Sequence, residues 1–341
     1  MDKLRIIQCG VGGHGAGWLK LIATSEEAQH AALVDINAAQ LAQAATAANV
    51  PADRCFSALS DALRKVEADA VLTVTPPAIH YQHAREAFAA GKHLLSEKPI
   101  ADTVEHGMEM VRTAQKAGRQ LMISQNYRYR PEPRLLRRMV ADQVCGTLVH
   151  GDVVFCLPAD FRGSFRETME YPTLVDMSIH HFDLMRYICN SDADTIFVHS
   201  FHTHAPEFQH EAAFKAVITF QNKVVFSYGA DWTARRTATS WNGNWTLQCS
   251  EGALAWTGAG VSKDTRNAAE NKWQAEKVDV PGLARVDQAF SLHEFVCAVR
   301  ENRPAETSGH DNLQSFGMVA AGLESIRTGR PVRVADVVPS L

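Results

Sequence analysis

The sequence is short of several things, and each shortage closes off a class of function. Its seven cysteines (9, 55, 145, 156, 189, 249 and 297) are scattered and include no Cys-x-x-Cys pair. That spacing fits neither a disulfide framework nor a zinc cluster and implies small thiols in a reducing compartment. The 15 histidines make no better case for a metal. His180 and His181 are neighbours on a helical pattern and cannot easily face one ion, and His202-Thr203-His204 lacks an evident third ligand. Basic charge is not in excess: 34 Lys and Arg stand against 38 Asp and Glu, a net of −4. A nucleic-acid binder usually presents a clearly basic face. No run approaches the roughly 18 apolar residues that a membrane span needs. The N-terminus, Met1-Asp2-Lys3-Leu4-Arg5-Ile6-Ile7, shows no signal-peptide pattern. The expectation is a cytoplasmic protein with no metal, nucleic-acid or membrane partner.

What is present is ordinary globular material, 46 % hydrophobic and 21 % charged. A length of 341 residues suggests about two domains. Up to residue 124, short Val/Ile/Leu-rich runs (4–8, 31–34, 70–74, 93–95, 120–123) alternate with helical patterns (15–22, 38–48, 79–90, 104–117). This alternation predicts a doubly wound parallel sheet of the Rossmann type over residues 1–124. From 125 to 341 the pattern changes. A helical stretch at 133–141 precedes a β-type run at 148–155, and a helix at 175–188 is followed by β-type runs at 195–202, 212–220, 223–232, 244–250 and 277–280, then helices at 287–300 and 312–328. This half reads as an α+β domain with a large, mostly antiparallel open sheet.

Gly10-Val11-Gly12-Gly13-His14-Gly15 fits G-x-G-x-x-G directly after the first strand and before a helix. Its first glycine permits the tight turn, the second lets backbone approach a pyrophosphate, and the third allows close helix–strand packing. The helix start offers N–H groups to the phosphates. Asp35 ends the second strand 20 residues after the last glycine, where a carboxylate accepts from the ribose hydroxyls of NAD. It would repel a 2′-phosphate, and Ile36-Asn37-Ala38 supplies no cation to offset that, so NAD is favoured over NADP.

Three further stretches carry chemistry: Thr75-Pro76-Pro77-Ala78-Ile79-His80, Glu97-Lys98-Pro99, and Asp176-Met177-Ser178-Ile179-His180-His181-Phe182-Asp183. The first two follow strands, on the carboxyl edge of the sheet where ligands bind. Asp176 and His180 are four apart, on one face of a helix, and histidine suits proton transfer near neutrality. With Gln125-Asn126-Tyr127-Arg128-Tyr129 and Thr328-Gly329-Arg330-Pro331-Val332, the chain resembles the Gfo/Idh/MocA family of sugar and polyol oxidoreductases.

That resemblance implies catalytic roles for Lys98, Asp176 and His180 and a cofactor contact for Glu97. It also implies that Thr75, Pro76, His80 and Asn126 surround the nicotinamide end, with substrate held between nicotinamide and the second domain. It further implies a homodimer or homotetramer formed through the second sheet. Ser178 stands where the family motif usually has glycine, and His181 is an additional histidine. Arg128, Arg162 and Tyr171 are candidate contacts for a sugar hydroxyl or carboxylate. The expected activity is NAD-dependent hydride transfer at a carbinol of a sugar, sugar derivative or cyclitol. The rival readings are glycoside cleavage through transient sugar oxidation by tightly held NAD, and a non-catalytic NAD-responsive binding protein.

Overall fold

The computed structural model describes residues 2–235, 238–267 and 272–339. They fall into two compact units, one made of residues up to 126 together with 285–313, the other of 127–284 together with 314 onward.

The first unit alternates strand and helix: β1 (Leu4–Cys9), α1 (Gly15–Ala23), β2 (Ala28–Val34), α2 (Ala38–Ala48), β3 (Cys55–Phe56), α3 (Leu59–Lys65). It continues with β4 (Ala70–Thr73), α4 (Pro77–Ala89), β5 (His93–Glu97), α5 (Val104–Ala117) and β6 (Leu121–Ser124). The six strands are parallel in the order β3-β2-β1-β4-β5-β6. Ile6, Ile7, Val71, Leu72, Leu94 and Leu95 are completely buried because helices cover both faces of this sheet. Each such side chain contributes about 1.5–3 kcal/mol of burial energy. Strand order reverses between β1 and β4, and the turns that follow these two strands border the crevice where a ligand sits. Asn37 caps α2 by accepting from the N–H groups of Ala39 and Gln40, and Thr103 caps α5 by accepting from His106. Gly118, at φ +61°, stops α5 as its position in the sequence predicts.

Residues 285–313 fall in this first unit rather than with the rest of the second half, where the sequence places them. The reason is the edge strand β6. Ile123 donates its N–H to the Thr307 carbonyl (2.9 Å) and accepts from the Thr307 hydroxyl (2.6 Å). Met122 bridges Ser308 in antiparallel register, and Ser124 donates to Ser291 of the helix Asp287–Glu301. An otherwise open sheet edge is thereby covered.

The second unit contains α6 (Pro131–Ala141), β7 (Leu148–Cys156), α7 (Ser178–Cys189), β8 (Ala193–Phe201), β9 (Ala213–Phe220) and β10 (Val225–Asp231). Then come β11 (Asn244–Cys249), β12 (Gly252–Thr257), β13 (Gly260–Asn267) and β14 (Lys272–Val278). After α8 (Asp287–Glu301, described above) follow α9 (Gly309–Thr328), β15 (Val332–Arg333) and α10 (Val334–Val337). Among the described residues nine strands form one sheet, β14-β13-β12-β11-β7-β10-β9-β8-β15, with only β7 and β10 parallel. β7 and β9 alternate buried and exposed residues, the mark of a sheet covered on one face. Helix α7 is buried along its whole length, and its Phe182 and His181 meet Tyr228 of β10 edge-on. Val154 and Val217 lie exposed on this sheet.

The helix predicted over 175–188 differs at its start. Thr173–Met177 is a π turn, and the α-helix begins only at Ser178. Tyr171, at φ +49°, gives its carbonyl to both Leu174 and Val175, and the Ser178 hydroxyl donates to the Thr173 carbonyl (2.8 Å). These bonds hold the wider turn. Strands β13 and β14 carry mostly polar sequence, β14 being exposed almost throughout, so they lack the apolar signal that reveals a strand.

All seven cysteines are unpaired thiols. Among the described residues no helix is long and apolar enough to cross a membrane.

Burial depresses His30, His83 and His181 to about 4 each, so all three stay neutral in the folded protein. An unfolded chain protonates them near 6.5. Below that value the unfolded state binds protons the native state refuses, so stability falls as pH drops from about 6.5 to about 4. Tm is therefore expected to be lower at pH 5 than at pH 7.5, and His83→Gln to shrink that difference. An unchanged difference in the variant would contradict the assignment.

Candidate active site

The nucleotide end grows out of β1. Gly10 has φ +85°, and a Cβ there would lie 2.4 Å from the Val74 carbonyl oxygen. At Gly15 a Cβ would lie 2.2 Å from the carbonyl oxygen of Gly10. Both positions admit only glycine, as the motif requires. Gly13 faces open space. The buried amide of Gln8 donates to the carbonyls of Gly10 (3.0 Å) and Gly15 (2.9 Å), bracing the loop from beneath. Asp35 reaches back from the end of β2: one carboxylate oxygen accepts the Val11 N–H (3.0 Å), the other the Asn37 N–H (2.9 Å). A glycine cradle that side chains would fill, with a carboxylate at its rim, fits a dinucleotide whose ribose carries free hydroxyls.

Glu97 ends β5 and is buried. Its Oε1 accepts from the Trp18 indole (2.7 Å) and pairs with His14 Nε2 (3.1 Å), while Oε2 accepts the Lys98 backbone N–H (3.1 Å). Burial alone pushes Glu97 up, but His14, the indole and the Lys98 charge outweigh it and hold the carboxyl below its usual range. The same hydrogen bond raises His14 above the usual histidine range. Gln288 of α8 adds a contact to His14 (3.2 Å). Lys98 follows directly, joined to Pro99 by a cis peptide. Thr75 and Pro76 follow β4, where the hydroxyls of Thr73 and Thr75 meet at 2.9 Å. Asn126 donates to Asp287 (3.2 Å).

His80 is placed differently from expectation. Its ring is buried, with Nε2 facing the Thr75 carbonyl (2.9 Å) and Nδ1 facing the Pro99 carbonyl (3.0 Å). It therefore ties the Thr75 and Lys98 turns together instead of presenting a nitrogen to a ligand.

In the second unit, Asp176 lies in the π turn and accepts from Arg166 Nε (2.7 Å). Arg166 lies over Phe165 (4.6 Å) and Phe161 (5.0 Å). The four-residue spacing from Asp176 to His180 thus runs through a π turn, not a regular α-helical face; such turns recur at functional sites. His180 is buried and stacks on Tyr127, ring centroids 4.2 Å apart and planes 16° apart. His181 is a packing residue, held by the Tyr228 hydroxyl (2.7 Å) and the Trp241 carbonyl (3.0 Å).

Arg128 corrects an expectation. Its guanidinium is buried and grips Asp183 through two bonds (2.9 and 2.6 Å), and Asp183 also accepts from Ser315 (2.8 Å). It is committed to the interior, not offered to a sugar. Arg162 is exposed and folds back on Asp160. Tyr171 serves through its carbonyl, which starts the π turn. Among the described residues no group of three or more His, Cys, Asp or Glu side chains is arranged to hold a metal ion.

The family model described as "Oxidoreductase family, NAD-binding Rossmann fold" matches residues 4–125, and the "GFO/IDH/MocA C-terminal domain" matches residues 133–255. A 1,5-anhydro-D-fructose reductase of Ensifer adhaerens is 25 % identical over 79 % of this chain and 80 % of its own. A glycosyl hydrolase family 109 protein of Shewanella sp. (strain ANA-3) is 33 % identical over 162 residues, covering 46 % of this chain and only 36 % of that protein. An oxidoreductase from Agrobacterium radiobacter, solved with NAD+, L-tartaric acid and magnesium, shares the fold with TM-score 0.88. It is 18 % identical, and the match covers 98 % of this chain and 99 % of that one.

Asp35→Ala is expected to narrow the preference for NAD over NADP at least tenfold, about 1.4 kcal/mol. Titration with each dinucleotide reads this directly; an unchanged ratio of Kd values would place cofactor choice elsewhere.

Proposed function

The chain belongs to the Gfo/Idh/MocA family of NAD-binding oxidoreductases, and on that footing we propose that it interconverts a carbinol and a carbonyl on a sugar, sugar derivative or cyclitol. The supporting observation is the bond set of Glu97. One buried carboxylate holds His14 of the glycine loop, Trp18 of α1 and the backbone of Lys98, so the residue that carries the cation is tied by its backbone to the glycine loop. The 1,5-anhydro-D-fructose reductase match supports a sugar substrate.

The glycine loop Gly10-Val11-Gly12-Gly13-His14-Gly15 would hold the dinucleotide, with Asp35 on its ribose and Glu97, Thr75, Pro76 and Asn126 toward the nicotinamide. Bound NAD supplies the hydride acceptor, and the protein supplies orientation and electrostatics. His180 takes the proton that leaves the substrate hydroxyl. The Lys98 ammonium hydrogen-bonds the same oxygen and stabilises the negative charge that develops on it. Asp176, held by Arg166, fixes the polar surroundings of His180. We further propose a homo-oligomer formed through the exposed face of the second sheet, where Val154 and Val217 lie.

The glycosyl hydrolase family 109 match favours a second reading, in which the same residues drive transient sugar oxidation and a glycosidic bond then breaks. Released aglycone without accumulating NADH marks that route.

Lys98→Ala and His180→Ala are each expected to cut kcat/KM by about 100-fold or more while leaving NAD affinity near wild type. Steady-state kinetics with a turned-over sugar, together with NAD titration, check this. Near-wild-type kcat/KM in either variant would remove that residue from the chemistry.

A further inference from the structure

His180 does not stand alone in its unit. Tyr127 carries its imidazole on one face at 4.2 Å, and the guanidinium carbon of Arg130 lies 3.4 Å from the centre of the same phenol ring. Two planar groups that close to one ring centre cannot share a face, so the order is guanidinium, phenol, imidazole. The outer layer is itself anchored. The Arg130 backbone N–H donates to the Tyr127 carbonyl (3.2 Å), closing the turn that carries both residues, and its guanidinium donates to the Asn242 side chain. The inner layer belongs to α7, which is buried along its length. A stack clamped at both ends leaves the central ring little room to move.

We propose that Tyr127 is a positioning residue for the reaction, with its ring serving as the wall that fixes the plane of His180, and that Arg130 holds that wall in place. This rests on the reading of His180 as the proton acceptor. A histidine side chain has a broad, nearly two-fold torsion about the bond to its ring. Proton transfer requires one nitrogen aimed at the substrate oxygen within hydrogen-bond reach. Stacking removes the rotation that would turn that nitrogen away. An imidazole near-parallel to an aromatic ring whose other face holds a cation is constrained in tilt as well as in rotation. The requirement is for an aromatic surface at position 127, not for its hydroxyl.

The test compares Tyr127→Leu, Tyr127→Phe, His180→Ala and the double variant Tyr127→Leu/His180→Ala in the full-length protein with NAD and a turned-over sugar. Tyr127→Leu is expected to lower kcat about 10- to 100-fold, the scale of a misplaced catalytic group, with KM and NAD affinity within threefold of wild type. Tyr127→Phe should restore kcat to within about threefold of wild type, since the ring face remains. The double variant should be no slower than His180→Ala, because a wall has no effect without the ring it orients. Equal damage in Tyr127→Phe and Tyr127→Leu would overturn the proposal in favour of the hydroxyl. So would further loss in the double variant, or wild-type kcat in Tyr127→Leu while His180→Ala is crippled. If Tyr127→Leu does not fold, Tyr127→Trp takes its place: a preserved ring surface predicts retained kcat, and a collapse of kcat with KM unchanged overturns the proposal. Wild-type activity in His180→Ala would be a different result, removing the functional reading beneath and leaving the stack structural.

Discussion

One buried carboxylate organises the first unit's chemistry. Glu97 is taken out of water, which by itself favours the neutral acid, yet the His14 ring, the Trp18 indole and the Lys98 charge hold it ionised, and the Lys98 N–H is a third donor to it. A hydrogen bond to a charged acceptor is worth about 1.5–3 kcal/mol, and losing one inside a protein costs the desolvation as well. Because those donors come from the glycine loop, from α1 and from the turn after β5, satisfying Glu97 requires all three to be in register. The glycine loop and the turn that bears Lys98 are therefore one structure held by a single charge.

The second unit solves a related problem by different means. Asp176 and His180 sit where a π turn gives way to an α-helix, and the neighbouring Arg128 is paired off with Asp183 in the interior. Breaking a buried pair of this kind costs about 3–5 kcal/mol. The pairing explains why residues such as Arg128, which look available in the sequence, are not. It also separates His181, neutral and packed on Tyr228, from His180 beside it on the same helix.

Legibility in the sequence followed the range of the interactions. The glycine turn, Asp35 and the Glu97-Lys98 pair could be read because each sits directly after a strand, and short buried strands announce themselves by apolar runs. The caps at Asn37, Thr103 and Gly118 are equally local. Trp18 was not legible as a partner of Glu97, since 79 positions separate them and an indole in a helix ordinarily reads as core. Residues 285–313 read as part of the second half because nothing local records that Thr307 pairs with Ile123. The π turn was hidden for another reason: a helical hydrophobic pattern tolerates one inserted residue, and only the Ser178 hydroxyl marks the insertion. Tyr127 stood in plain view within Gln125-Asn126-Tyr127-Arg128-Tyr129, but the stack it forms with a residue 53 positions away did not.

Direct hydride transfer from a sugar carbinol leaves an isotopic record that can be traced. The protein would be incubated with NAD and a sugar deuterated at the reacting carbon, and the reduced cofactor analysed by mass spectrometry. With direct transfer, NADH gains one deuterium from the sugar. Reduced cofactor carrying no deuterium, formed while the sugar is consumed, would contradict it.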